Sequence, residues 1–232
     1  MEQKSLKERT ADGMLWGGLS NGLMQLMGAS FGIVLLQFLM PEDYGKVAML
    51  NIFAALANAL QESGFIAALC NRREATREEY NSVFWFNLLV SASLYILLWF
   101  CAPLIADFYG NDELIPLARV LFLGFLLSGL GTVQRAYLFK HLMVRQTSIC
   151  SLTAMLISGI VGVVLAVNEF AHWAIVLQAV CFVFVTQAMA WYFSPWRPTL
   201  SLNLAPAWKM FGFSSKLMLT NIVNICNLHA FS

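Results

Sequence analysis

Residues 13–41 read GMLWGGLSNGLMQLMGASFGIVLLQFLMP, a run of 29 residues without a charged side chain. The hydrocarbon core of a bilayer is about 30 Å thick, and roughly 20 apolar residues in helical form cross it. The run is therefore long enough to span. Lys4, Lys7 and Arg9 precede it, as a charged segment precedes the apolar core of a signal peptide. A signal-peptide core covers only about 7–15 residues and ends at a small-residue cleavage site. This run is about twice as long and has no such site, so it reads as a retained spanning helix.

Similar runs follow along the chain. They cover 47–61 (continuing past Glu62 to Asn71), 81–106, 120–134, 146–168 and 170–196, and another begins at Leu217 and is still running at Ser232. The run at 120–134 is short and must extend toward Pro116 and Leu138 to span. Backbone groups in lipid have to be satisfied within their own segment, which makes these runs helices. No strand alternation of the barrel kind is present. Composition agrees: 59% of the 232 residues are hydrophobic and 12% charged, too few charges to coat a water-facing surface. The expected fold is an all-α polytopic membrane protein. A six-helix transmembrane lobe over 1–196 is followed by an interfacial linker over 197–216 and the start of a second lobe over 217–232.

Charge sets the expected orientation. Lys4, Lys7 and Arg9, then Arg72, Arg73 and Arg77, then Arg135, Lys140 and Arg145, then Arg197, Lys209 and Lys216 fall on alternate connections. They are 12 of the 14 basic residues. The other side carries Lys46 and Arg119 among Glu42, Asp43, Asp107, Asp112, Glu113 and Glu169. The positive-inside rule puts the N-terminus in the cytoplasm. Tryptophans 16, 85, 99, 173, 191 and 196 fall near helix ends, where aromatic belts lie. With net charge +1 so segregated, nucleic acid is not an expected partner. The five cysteines lie in or beside apolar runs with no Cys-x-x-Cys spacing, so neither a metal site nor a disulfide framework is expected.

Several helices carry small or polar residues three and four apart, hence on one face. The faces are Gly18, Asn21, Gln25, Gly28 and Gly32; Asn51, Ala55, Asn58 and Glu62; Asn87, Ser91 and Tyr95; Gly124, Ser128, Gly131 and Arg135; Thr147, Ser151, Ala154, Ser158 and Gly162. Such faces either let membrane helices pack closely or line a hydrated cavity. The second reading weighs most for the first two helices. Glu62 is the one acid within an otherwise apolar span, either functional or a helix-end acid paired with a basic loop. Arg119 and Arg135, at opposite ends of the fourth run, either snorkel to headgroups or present a planar fork to a diphosphate or acidic sugar. His172 reads as an ordinary interfacial residue. The candidate cavity residues are Asn21, Gln25, Asn58, Glu62, Arg119 and Arg135. No nucleotide-binding glycine loop, catalytic triad or HExxH motif is present, and the short connections argue against an enzyme.

Particular segments resemble the Wzx-type oligosaccharide flippases, polysaccharide transporters of the multidrug/oligosaccharidyl-lipid/polysaccharide exporter superfamily. Leu39-Met40-Pro41-Glu42-Asp43-Tyr44-Gly45 is similar to that family's L-x-P-x-D-[YF]-G turn. Glu62-Ser63-Gly64-Phe65 through Asn71-Arg72-Arg73 is similar to its acid-S-G segment and basic loop. Asn81 with Phe84-Trp85-Phe86-Asn87, Ala102-Pro103-Leu104-Ile105-Ala106 and Gln134-Arg135-Ala136 follow in the family's order, nearest the colanic-acid-exporter branch. Gln37 stands where the family often has arginine. The resemblance implies two lobes around a central cavity. It also implies movement of undecaprenyl-diphosphate-linked oligosaccharide across the bacterial inner membrane by alternating access, for surface polysaccharide biosynthesis. No cofactor is implied beyond an unidentified coupling ion, H+ or Na+. The implied partners are the lipid-linked oligosaccharide, membrane lipid, and the polysaccharide polymerase and glycosyltransferases of glycan assembly. A cation-coupled drug exporter of the same superfamily and a non-transporting scaffold of a glycan-assembly complex are the alternatives. The chain is expected to hold one lobe and the start of the next.

Overall fold

The computed structural model describes residues 6–61 and 76–200. These contain six α-helices: α1 Leu6–Phe38, α2 Pro41–Gln61, α3 Arg77–Tyr109, α4 Leu114–Lys140, α5 Val144–Val167 and α6 His172–Phe193. No strand occurs among the described residues. Five helices, all but α2, are long and apolar enough to cross a membrane. The polar positions along α2 lower its hydropathy, although its 21 residues are about enough for a span. The chain is an all-α polytopic membrane protein. The expected continuation of α2 to Asn71, the linker beyond residue 200 and the seventh run lie outside the described residues.

Local chemistry sets the helix ends. Pro41 opens α2 at the position where its missing N–H costs nothing. The Asp43 carboxylate accepts from the Met40 N–H at 3.1 Å, satisfying a donor at that helix start. Glu42, Asp43 and Lys46 therefore belong to α2 rather than to a loop. α3 opens on a reciprocal cap in which Thr76 accepts from the Glu79 N–H and Glu79 accepts from the Thr76 N–H. It closes on Gly110, whose φ of 65° is left-handed backbone that glycine adopts freely. α4 reaches past Pro116 and Leu138, as a spanning length requires, so Arg119 and Arg135 both lie inside it.

Helices α3, α4, α6, α5 and α1 form a row of neighbours, with α2 laid over α4 and α6 and touching α3 more lightly. Among the described helices, α1 packs on α5 alone, and α1 and α2 do not touch away from their joining turn. Burial follows this order: 39% of the apolar stretch of α4 is buried within the lobe, against 11% in α1. Most of α1 must therefore face lipid or another protein surface.

One end of the bundle carries Glu42, Asp43, Asp107, Asp112, Glu113 and Glu169, and is called here the acidic end. There Val47 and Leu50 of α2 pack with Leu98, Ala102, Ile105 and Ala106 of α3, Leu114 to Phe125 of α4, and Val176 of α6. The opposite, basic end is closed by aromatic rings. Tyr80, Phe84 and Trp196 meet Tyr137 and Trp191 across α3, α4, α6 and the segment after α6. That segment is tied to α3 twice, since the Thr199 N–H donates to Asn81 at 2.8 Å and the Trp85 indole donates to the Thr199 carbonyl at 2.8 Å.

Candidate functional site

Glycines decide where helices close up and where they leave space. A side chain on Gly129 would collide with Ser91 and approach the Asn87 carbonyl, so α3 and α4 are in near backbone contact. Gly131 receives the Gln187 amide of α6, Gly162 receives Gln178, and Gly159 receives the Phe31 ring of α1. Gly18 and Gly32 of α1, by contrast, have nothing within 4 Å of where a Cβ would stand. The small-residue faces of α3 and α5 are thus packing faces. That of α1 is open at Gly18 and Gly32, with Asn21 and Gln25 both exposed on it, while Gly28 lies against Met155 of α5.

Beyond the buried Leu50 of α2, a cavity of about 210 Å³ opens between three helices. Asn51 and Ala54 line it from α2, Leu121, Gly124, Phe125 and Ser128 from α4, and Ala179, Val180 and Val183 from α6. Arg135 lies two helical turns beyond Ser128 on the same arc of α4. Its Nη2 donates to the Ser128 hydroxyl at 3.4 Å, so the guanidinium runs along the helix toward the cavity instead of toward the basic end. The polar groups gathered here are an amide, a hydroxyl and, at the margin, a guanidinium; no acid lines the cavity among the described residues. Such a set presents hydrogen-bond donors and positive charge, which suits an anion.

The six candidate residues do not meet in one place. Arg135 stands at the margin of the cavity, through its bond to Ser128. Arg119 is roughly opposite it on the α4 helical wheel and stacks over the Trp99 ring of α3 at 4.4 Å, a cation–π contact. Asn21 and Gln25 lie on the far side of the row, on α1. Asn58 and Glu62 lie outside the residues whose side chains are described. Asn51 shares the Asn58 face and was visible in the sequence as part of that stripe, whereas Ala54 and Val183 carry no signal a sequence could show. Two other amides are buried with no polar partner among the described residues, Asn87 at 1% exposure and Gln134 at 0%.

A second polar cluster joins the helix starts at the acidic end. His172 Nδ1 lies 3.3 Å from Asp43 Oδ1, and the Lys46 ammonium pairs with Glu113. The bond from Lys46, with its charge, holds the Glu113 carboxyl below the usual carboxylate range.

Residues 34–230 match the family model described as polysaccharide biosynthesis protein. The chain belongs to the polysaccharide biosynthesis protein family. Its curated relatives include the lipopolysaccharide biosynthesis protein WzxC of Escherichia coli (strain K12), 24% identical over 96% of this chain and 46% of that protein. The teichuronic acid biosynthesis protein TuaB of Bacillus subtilis (strain 168) is 27% identical over 72% of this chain and 35% of that protein. The succinoglycan biosynthesis transport protein ExoT of Rhizobium meliloti (strain 1021) is 24% identical over 82% of this chain and 39% of that protein. The resemblance to the Wzx-type branch of this family is thereby borne out. The chain spans half or less of the length of these relatives. No solved structure matches it.

Proposed function

We propose that this chain forms one lobe of a transporter that moves a lipid-linked oligosaccharide across the bacterial inner membrane by alternating access, with the basic end in the cytoplasm. The observation that carries the reading is the inward-reaching Arg135 beside a cavity lined by Asn51 and Ser128, between α2, α4 and α6. A guanidinium presents a planar fork of donors. A diphosphate linking lipid to glycan is a group that its fork binds well.

A cavity of about 210 Å³ is smaller than the roughly 300–1,000 Å³ that small-molecule pockets occupy. It could hold a phosphate and a few waters, but not an oligosaccharide. The glycan therefore needs a wider path, and the open faces of α1 and α2 supply one wall of it. A second lobe supplies the other, consistent with relatives about twice as long. Arg135 holds the diphosphate, Asn51 and Ser128 accept and donate hydrogen bonds beside it, and an H+ or Na+ gradient drives the cycle. Asn21, Gln25, Asn58 and Glu62 extend the polar wall. A polymerase and glycosyltransferases work on the same glycan at the two membrane faces.

The test is complementation of a strain lacking its own flippase, with the chain supplied together with a second lobe. Arg135→Ala should lower export by about tenfold or more, the scale of a lost charge-assisted hydrogen bond. Arg119→Ala should change export less than about twofold, because its cation–π stacking lies away from the cavity. Equal loss in both variants would refute the assignment of the path to the α2–α4–α6 side.

A further inference from the structure

The acidic-end cluster joins three helices through side chains far apart in sequence. Asp43, in the first turn of α2, meets His172, the first residue of α6, with their side chains 13% and 17% exposed. One turn further along α2, Lys46 reaches Glu113, the residue before α4. The two pairs form one electrostatic unit, since Glu113 also feels the charges of His172 and Asp43, and Lys46 those of Asp43 and Glu42. Tyr44, between the pairs, packs with Leu35, Leu39, Ala166 and Ala174, so the turn joining α1 to α2 closes against the same spot. Beneath the cluster Val47 and Leu50 are buried at 4% and 0%, and from Asn51 onward the cavity begins. α2 is thus fastened at this end, and the cavity borders its next turn.

We propose that this cluster is a proton-sensitive latch, which holds the start of α2 against α4 and α6 while His172 is protonated and loosens when the imidazole loses its proton. With His172 charged, two cations face the three carboxylates of Asp43, Glu113 and Glu42. Without that charge one cation faces three, and Asp43 and Glu113 are left to repel each other across the α2–α4 gap. Of these side-chain types, only imidazole ordinarily changes charge near neutral pH. Neutral His172 can still donate from Nδ1 to Asp43, so the latch weakens without vanishing. Opening at this end would admit the acidic side to the cavity, which lies directly under the Val47–Leu50 layer. The latch therefore rests on reading that cavity as part of the transport path, and it adds control of the path by the pH at the acidic end.

Paired spin labels at Ala48→Cys on α2 and Phe170→Cys before α6, both exposed positions, report the gap directly in a cysteine-free background. The chain is held in lipid nanodiscs and the distance distribution is read at pH 5.5 and pH 8. A longer-distance population should grow by about two- to fivefold at pH 8, the range expected of a partly exposed ion pair. His172→Asn should give one distribution at both pH values, and Asp43→Asn should do the same if the first variant folds poorly. Identical wild-type distributions at the two pH values, or a pH response that survives in both variants, would overturn the latch. No substrate enters the measurement, so a transporter without a latch and a latch without flippase activity give different results.

Discussion

The α3–α4 interface and the seat of α2 on α4 are built from the same kinds of residue and end differently. At the first, Ser91 lies against Gly129 and backbones nearly touch. At the second, Asn51, Gly124 and Ser128 face one another across open space. Small and polar residues at helical spacing permit close approach but do not compel it. The partner face decides: α3 offers Ser91 and the Asn87 backbone to fill the groove at Gly129, while α2 offers an amide and Ala54 that stop short. Without apolar burial to drive helices together in lipid, a missing close contact is not repaired by collapse. A cavity can persist beside a tight seam.

The largest expected difference between the two regions comes from filling each groove. Gly129→Val puts a branched side chain into Ser91 and should destabilise the lobe by about 1–3 kcal/mol, as overpacking does. Gly131→Ala should cost less, because the Gln187 amide that it meets is the far end of a flexible side chain. Gly18→Ala, with open space around it, should leave the melting temperature in detergent unchanged. If Gly129→Val and Gly18→Ala melt alike, the claim that one face is packed and the other open is wrong.

Solvent access distinguishes the regions on a smaller scale. In a cysteine-free background, Asn51→Cys and Ser128→Cys should react with a water-soluble maleimide, and Asn87→Cys and Gln134→Cys should not. The buried amides give a companion test. Asn87 has neither side-chain polar atom partnered among the described residues, so Asn87→Leu removes an uncompensated polar group. It should be neutral or stabilising by up to about 1 kcal/mol. A loss of 2 kcal/mol or more, read from chemical unfolding, would mean that Asn87 holds a bound water or ligand.

Much of this was legible in the sequence, and what was not has physical reasons. The run at 120–134 looked short because charge marked its ends; α4 continues because Arg119 spreads over Trp99 and Arg135 runs back to Ser128. Glu42, Asp43 and Lys46 read as a loop, yet acids are favoured in the first turn of a helix, and Pro41 starts it there. Packing faces and open faces share one periodicity, so only the neighbouring helix could separate them. His172 looked like an ordinary interfacial residue, and nothing local ties it to Asp43, 129 positions away. The charge asymmetry did bring both to the same end of the bundle.

The smallest effect belongs to the Lys46–Glu113 pair, and it sharpens the picture of α2 as fastened at one end. The Glu113 carboxyl is held below its usual range chiefly by the bond from Lys46, then by the charge of that ammonium. A carboxyl with a depressed value contributes stability above the ordinary carboxylate range, near about 4.3, and loses it as pH falls through the depressed value. Glu113→Gln should therefore melt slightly below the wild type at about pH 5–6, and the margin should close below about pH 4. Glu113 is exposed to water, so 0.5 M salt should shrink the margin as well. A margin that widens on acidification would show that Lys46 fastens α2 through a different group.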